Sequence, residues 1–124
     1  MTTGVGIDMI EVDRMSASMK KESGFREMVF SDNEVAYCQP KANRFEHYAA
    51  RYAAKEAFFK ALGTDWMDGT AFNEVEIIND EQGKPVMGFL GLTAITIKKL
   101  KLKNIQVSLT HLQSMASAVV IIEK

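Results

Sequence analysis

The sequence predicts an α+β domain: a largely antiparallel sheet packed against one long buried helix. Three observations lead there. Residues 43–62 are the longest and most apolar stretch with helical spacing, and Gly63 follows as a stop. Two strand-like runs, 73–79 and 86–90, flank the turn DEQGKP and read as a hairpin. Two more, 104–110 and 115–123, close the chain with a few residues between them, too few for a helical crossover.

The elements follow in order. Residues 4–10 (GVGIDMI) alternate Val5, Ile7 and Met9 with Gly6, Asp8 and Ile10, the period of a strand. Residues 11–22 switch to helical spacing, with Val12, Met15 and Met19 on one face, and 25–30 form a short helical piece. Ser31-Asp32-Asn33-Glu34 matches a capping box, so a helix runs from there to about Cys38 and ends before Pro40. Asn43 and Glu46 repeat that signature in weaker form at the head of the long helix. Residues 64–72 lack a period and read as a loop, and 92–102 as a helix with an exposed lysine side. The run 115–123 (MASAVVIIE) is apolar enough for a central strand.

Composition bounds the function. The 124 residues, 47% apolar and 25% charged, suit one globular domain over 1–124 and exclude a disordered chain. Apolar runs such as Ala116 to Ile122 fall short of the roughly 18–20 residues of a membrane span. No basic stretch precedes an apolar core at the N-terminus, so no secretion signal is expected. The single cysteine, Cys38, cannot form an internal disulfide, which suits the cytoplasm. A net charge of −1 argues against a nucleic-acid binder of the basic kind. Charge is nonetheless uneven: Arg14, Lys20, Lys21 and Arg26 face one anion, Glu22. Such a run is a solvated helix face or a surface for an acidic partner; Lys98, Lys99, Lys101 and Lys103 pose the same choice.

Some polar residues stand where apolar ones would serve stability better. At about 100° per residue, and with Phe45 as origin, Glu56 falls near about 20° and Phe59 near about 320°. The Glu56 carboxylate therefore projects from an apolar stripe, and it must be protonated, paired or bound to a metal. Lys60, one turn on, offers a plain i,i+4 pair instead. Asp8 sits inside an apolar strand after two glycines, which allow close approach by a backbone or a ligand; its plain alternative is a cap for the next helix. If the long helix packs on the first strand, Asp8 and Glu56 converge. Two carboxylates without a Cys/His cluster suit Mg²⁺ rather than zinc. Ser108, Thr110 and His111 end a strand and could hold a phosphate or ribose, or simply be a polar strand end. They form no catalytic triad, and the chain has no nucleophile elbow, GxGxxG or Walker loop.

Taken together, these segments resemble the holo-acyl-carrier-protein synthases, the short, trimeric class of 4′-phosphopantetheinyl transferases. The likeness spans nearly the whole chain: Gly4 to Arg14 (GVGIDMIEVDR), Arg51 to Gly63 (RYAAKEAFFKALG), Asn79 to Pro85 (NDEQGKP), and Val107 to His111 (VSLTH) with Ala116 and Ala118 beyond. It implies that coenzyme A donates its phosphopantetheine arm to a serine of an acyl carrier protein, with 3′,5′-ADP leaving. By that resemblance Asp8 and Glu56 hold Mg²⁺ and Lys60 meets the phosphates. Arg51 and His111 approach the 3′-phosphate, Ser108 and Thr110 support that region, and Gly63 and Pro85 lie beside the nucleotide. The serine proton is expected to go to Glu56, directly or through a metal-bound water, with a water held on Mg²⁺ as the rival base. Arg14 docks the acidic carrier, helped by Lys20, Lys21 and Arg26, with Met15, Met19 and Phe25 giving apolar contact. The resemblance also implies a homotrimer in which one subunit brings Asp8 and Glu56 and its neighbour the His111 strand.

The chain departs from the family pattern in three places. Asp65-Trp66 follow Thr64 where glycine is usual, Leu112 follows His111, and Gly24 stands where a basic residue is frequent. The loop and Gly24 motivate an alternative, a non-catalytic module that binds coenzyme A or the carrier with the same fold.

Overall fold

The computed structural model describes residues 1–21 and 23–124. Glu22, the anion of the basic stretch and the end of the helix expected over 11–22, lies outside the described residues. Strand β1 (Thr2–Glu11) runs directly into helix α1 (Val12–Lys21), followed by α2 (Phe25–Val29), α3 (Asp32–Cys38) and the long α4 (Arg44–Ala61). A 3-10 turn over Phe72–Glu74 leads into the hairpin β2 (Val75–Asn79) and β3 (Pro85–Phe89). Helix α5 (Gly91–Lys98) and strands β4 (Asn104–His111) and β5 (Met115–Glu123) complete the chain.

The larger sheet has the order β1-β5-β4, antiparallel throughout, so β5 is its centre, as its unbroken apolar run requires. Alternation along β1 turns Gly4, Gly6, Asp8 and Ile10 toward α4 and leaves Val5, Ile7 and Met9 on the open face. The glycines allow an unusually close approach. A Cβ on Gly6 would fall 1.9 Å from the Ala57 carbonyl oxygen, and one on Gly4 1.9 Å from that of Ala61. Helix α4 answers with small residues, Ala53, Ala54, Ala57 and Ala61, and buries Tyr48, Phe58 and Phe59 completely. Each of those rings contributes about 1.5–3 kcal/mol by leaving water. The C-terminal half of α4 sits in the core beneath the sheet and the hairpin, and its N-terminal half in a second core with α1, α2 and α3.

Several expectations need correction. The capping box at Ser31 forms with both of its hydrogen bonds, but Asn43 makes no side-chain cap on α4. Helix α5 ends at Lys98 rather than 102, and Lys101 turns the chain at φ 56°. Strand β2 buries three successive residues, Val75, Glu76 and Ile77, because it lies against both α3 and α4. The deepest charge on α4 is Lys55, which the sequence reading passed over: Lys55 and Glu34 are both 0% exposed and pair at 2.6 Å. Lys55 also donates to the Phe72 and Val75 carbonyls, and Glu34 accepts from the Ser31 and Ile77 amides.

Candidate active site

The close fit of β1 on α4 brings Asp8 and Glu56 together. Lys60, one turn further along α4, donates to Asp8 Oδ1 at 2.8 Å and reaches the Ile7 carbonyl at 3.3 Å. The ion pair of Lys60 is therefore with Asp8, across the interface, rather than along the helix with Glu56. Asp8 Oδ2 is buried and has no hydrogen-bond partner among the described residues. Burial, then the adjoining Asp8 carboxylate, push the Glu56 carboxyl up to about 7. Two acids forced together, one with an orphaned oxygen, form a hard-oxygen donor set that a divalent cation would relieve. Among the described residues no cluster of three or more His, Cys, Asp and Glu side chains is present, so these two carboxylates are what the chain offers a cation here. That count suits a cation shared with phosphate oxygens and water.

Asp8 and Glu56 line a cleft of about 350 Å³ with Arg14, Ser18, Phe25 and Tyr52. Arg14 and Phe25 thus border the carboxylates. Met15 also lines this cleft, but at 3% exposure its side chain belongs mainly to the core. Met19, Lys20, Lys21 and Arg26 lie around the adjoining hollow, with Arg44 and Phe45. There the Lys20 ammonium sits 5.4 Å from the centre of the Phe45 ring, and Arg26 is held by Glu27 at 2.6 Å.

A second site lies elsewhere on α4. Arg51 precedes Glu56 by five residues, which places it about 140° around the helix, facing another way. Arg51, His111 and Pro85 meet in a pocket of about 160 Å³ with Tyr37, His47 and Asn79. Arg51 is 2% exposed, yet no carboxylate pairs with it among the described residues. Its Nη2 donates to Asn79 Oδ1 at 2.9 Å, its Nε is buried without a partner among the described residues, and its Cζ lies 4.3 Å from the centre of the Tyr37 ring. Asn79 is fixed in turn by donating to the Gly83 carbonyl, so the hairpin turn orients Arg51. His111 Nδ1 lies 2.8 Å from Glu46 Oε1, and that nitrogen must carry the proton it donates. A buried guanidinium with no counter-ion among the described residues suits this pocket to an anion.

Ser108 and Thr110 are not brought to that pocket. Strand alternation turns them to the exposed face of β4, on the side of Ile7 and Met9. Gly63 ends α4 at φ 86°, a conformation that favours glycine. Sequence reasoning missed Tyr37, His47 and Asn79. His47 stands one turn before Arg51 on α4, a spacing that could have drawn attention to it.

The sequence and the fold have close counterparts. The model of the 4′-phosphopantetheinyl transferase superfamily matches residues 4–118. A holo-[acyl-carrier-protein] synthase of Solibacter usitatus is 42% identical over 124 residues, 99% of this chain and 99% of its own. The crystal structure of the corresponding synthase from Neisseria meningitidis superposes with a TM-score of 0.89 at 25% identity, covering all of both chains. That of the Bacillus anthracis enzyme, in complex with CoA (3′,5′-ADP), gives 0.82 at 30% identity over 100% of this chain and 98% of its own. The chain belongs to the 4′-phosphopantetheinyl transferase superfamily.

Proposed function

We infer that this protein transfers the 4′-phosphopantetheine arm of coenzyme A to a serine of an apo acyl carrier protein, as a single domain of 124 residues. The observation that carries the reading is the pairing of Asp8 with Glu56 beside Lys60, on a scaffold shared over its full length with holo-acyl-carrier-protein synthases. The serine oxygen attacks the phosphorus that carries the pantetheine arm. The phosphoanhydride bond to the leaving phosphate breaks, and 3′,5′-ADP departs with the electron pair.

Asp8 and Glu56 would hold Mg²⁺, which when bound neutralises charge on the pyrophosphate oxygens. The Lys60 head, exposed beside them, meets the phosphates as a point charge. Glu56 receives the serine proton, directly or through a water. Arg51 and His111 take the 3′-phosphate, a role their anion pocket supports. Arg14, at the rim of the carboxylate cleft, faces the acidic carrier, with Lys20, Lys21 and Arg26 beyond it. Charges of this kind act mainly on association rate.

A homotrimer with sites between subunits completes the reading. The carboxylates and the anion pocket face different ways on one protomer, so two copies offer both to one coenzyme molecule. Ser108 and Thr110, on the open sheet face, would then act at that interface. No helix among the described residues is long and apolar enough to cross a membrane, which fits an enzyme of the cytoplasm.

The test is a mass measurement. Incubation with apo carrier protein, coenzyme A and Mg²⁺ should add one phosphopantetheine to the carrier, and omission of the metal should prevent it. Binding of coenzyme A without any mass gain, while a competent enzyme modifies the same carrier, would favour the non-catalytic module.

A further inference from the structure

The anion pocket contains a group that the transfer reaction has not yet used. His47 projects from α4 one turn before Arg51 and packs edge-on against two rings, Tyr37 at 5.7 Å and His111 at 5.0 Å between centroids. It lines the same cavity as Arg51, whose Nε is buried and unpartnered among the described residues. The groups around it are mostly cationic or able to become so. Its own helix supplies Arg51 and Glu46, the preceding turn Lys41, α3 Tyr37, and β4 His111. The β2–β3 hairpin supplies Asn79 and Pro85, both uncharged. Glu46, the one acid in this set, is engaged with His111.

Resting on the function proposed above, we propose that His47 is a further binding residue for the 3′-phosphate of coenzyme A, and that it takes up a proton when that phosphate enters the pocket. In the free protein, burial first, and then the charges of His111, Arg51 and Lys41, hold the His47 imidazole below its ordinary value, so it is neutral near pH 7. A phosphate between Arg51, His111 and His47 reverses the sign of the local field. The imidazolium is then favoured and donates a charge-assisted hydrogen bond. Affinity gained this way is greatest at low pH and is lost as pH rises through the imidazole value of the complex.

Titration calorimetry of the full chain tests this at pH 6.5 and 8.0, in two buffers of different ionisation enthalpy, with coenzyme A and with dephospho-coenzyme A as probes. The 3′-phosphate itself titrates near about 6, so the comparison is between wild type and variants with the same ligand. His47→Gln and His47→Phe are both used; phenylalanine keeps the ring contacts with Tyr37 and His111 and lacks the proton. Wild type should bind a fraction of a proton more than either variant on taking coenzyme A at pH 6.5. Affinity for coenzyme A should fall roughly tenfold in the variants at that pH, less at pH 8.0, and not at all for dephospho-coenzyme A. Equal proton uptake in wild type and both variants, or equal losses with both ligands, would overturn the role of His47 while leaving the transfer function standing. Failure of wild type to bind coenzyme A would overturn the function and this inference with it.

Discussion

In the free protein the Glu56 carboxyl, raised to about 7 from an ordinary 4.5, stays protonated where an exposed glutamate would ionise. The folded state therefore binds more protons than the unfolded one between those two values. The stability this contributes is fully present below about 4.5 and is lost as pH rises through about 7. The melting temperature of the metal-free protein should accordingly fall across that window. Glu56→Gln should flatten the fall, and Mg²⁺ should raise the melting temperature of wild type but not of the variant above pH 7. Transfer by Glu56→Gln or Asp8→Ala should drop at least roughly 100-fold, as expected when a metal's charge stabilisation of several kcal/mol is lost. An unchanged melting profile in Glu56→Gln would remove Glu56 from the carboxylate pair. These two acids were legible in the sequence because each sits where an apolar residue would pack better. The partner of Lys60 was not legible, since helical spacing offers Glu56 and only the fold supplies Asp8. His47 escaped for the opposite reason: a lone histidine near a helix start breaks no apolar pattern, and its one signal is the four-residue spacing to Arg51.

The long helix α4 was readable almost to the residue, because a long apolar period and a terminal glycine are local signals. Its clamp was not. Lys55 lies within the helix motif, but its partner Glu34 comes 21 residues earlier, on α3, and two of its acceptors are carbonyls near the start of β2. No local rule links those three elements; the capping box marks Glu34 only as part of a helix start. The same distance in sequence hid the triple burial in β2, where Glu76 accepts from Ser31 at 2.6 Å. Loss of one partner leaves the other charge buried and unpaired, which costs about 3–5 kcal/mol. Lys55→Met should therefore lower the unfolding free energy by about that amount in urea titrations. Adding Glu34→Gln to it should cost far less than the sum of the two single changes, because the uncompensated charge disappears. A Lys55→Met variant within about 1 kcal/mol of wild type would mean that the pair does not fix α4 against α3 and β2. Displacement of α4 would also move Arg51 and Glu56, so transfer should weaken in the same variant.

Across the whole molecule, the face of the larger sheet that turns away from α4 remains uncovered. Val5, Ile7 and Met9 are 60%, 62% and 61% exposed along one edge strand, and Val119 and Ile121 continue the face on β5 through the strand register. Such a stripe on a sheet face is a candidate contact surface, and the proposed trimer would bury it. Ile7→Asp should then yield a monomer by light scattering, with its helix and strand content retained, and should abolish transfer although every proposed ligand of metal and phosphate is present. A head-to-tail ring makes a further demand, because each site takes its carboxylates from one copy and its anion pocket from the next. Glu56→Gln and His111→Ala chains, each impaired alone, should regain activity when unfolded and refolded together. If copies assort at random around such a ring, roughly a quarter of the interfaces unite an intact carboxylate pair with an intact anion pocket. Activity that stays at the level of the separate variants, in trimers verified to be mixed, would put both halves of the site on one chain. It would also require a coenzyme molecule to bend around α4, from Arg51 to Glu56, within a single protomer.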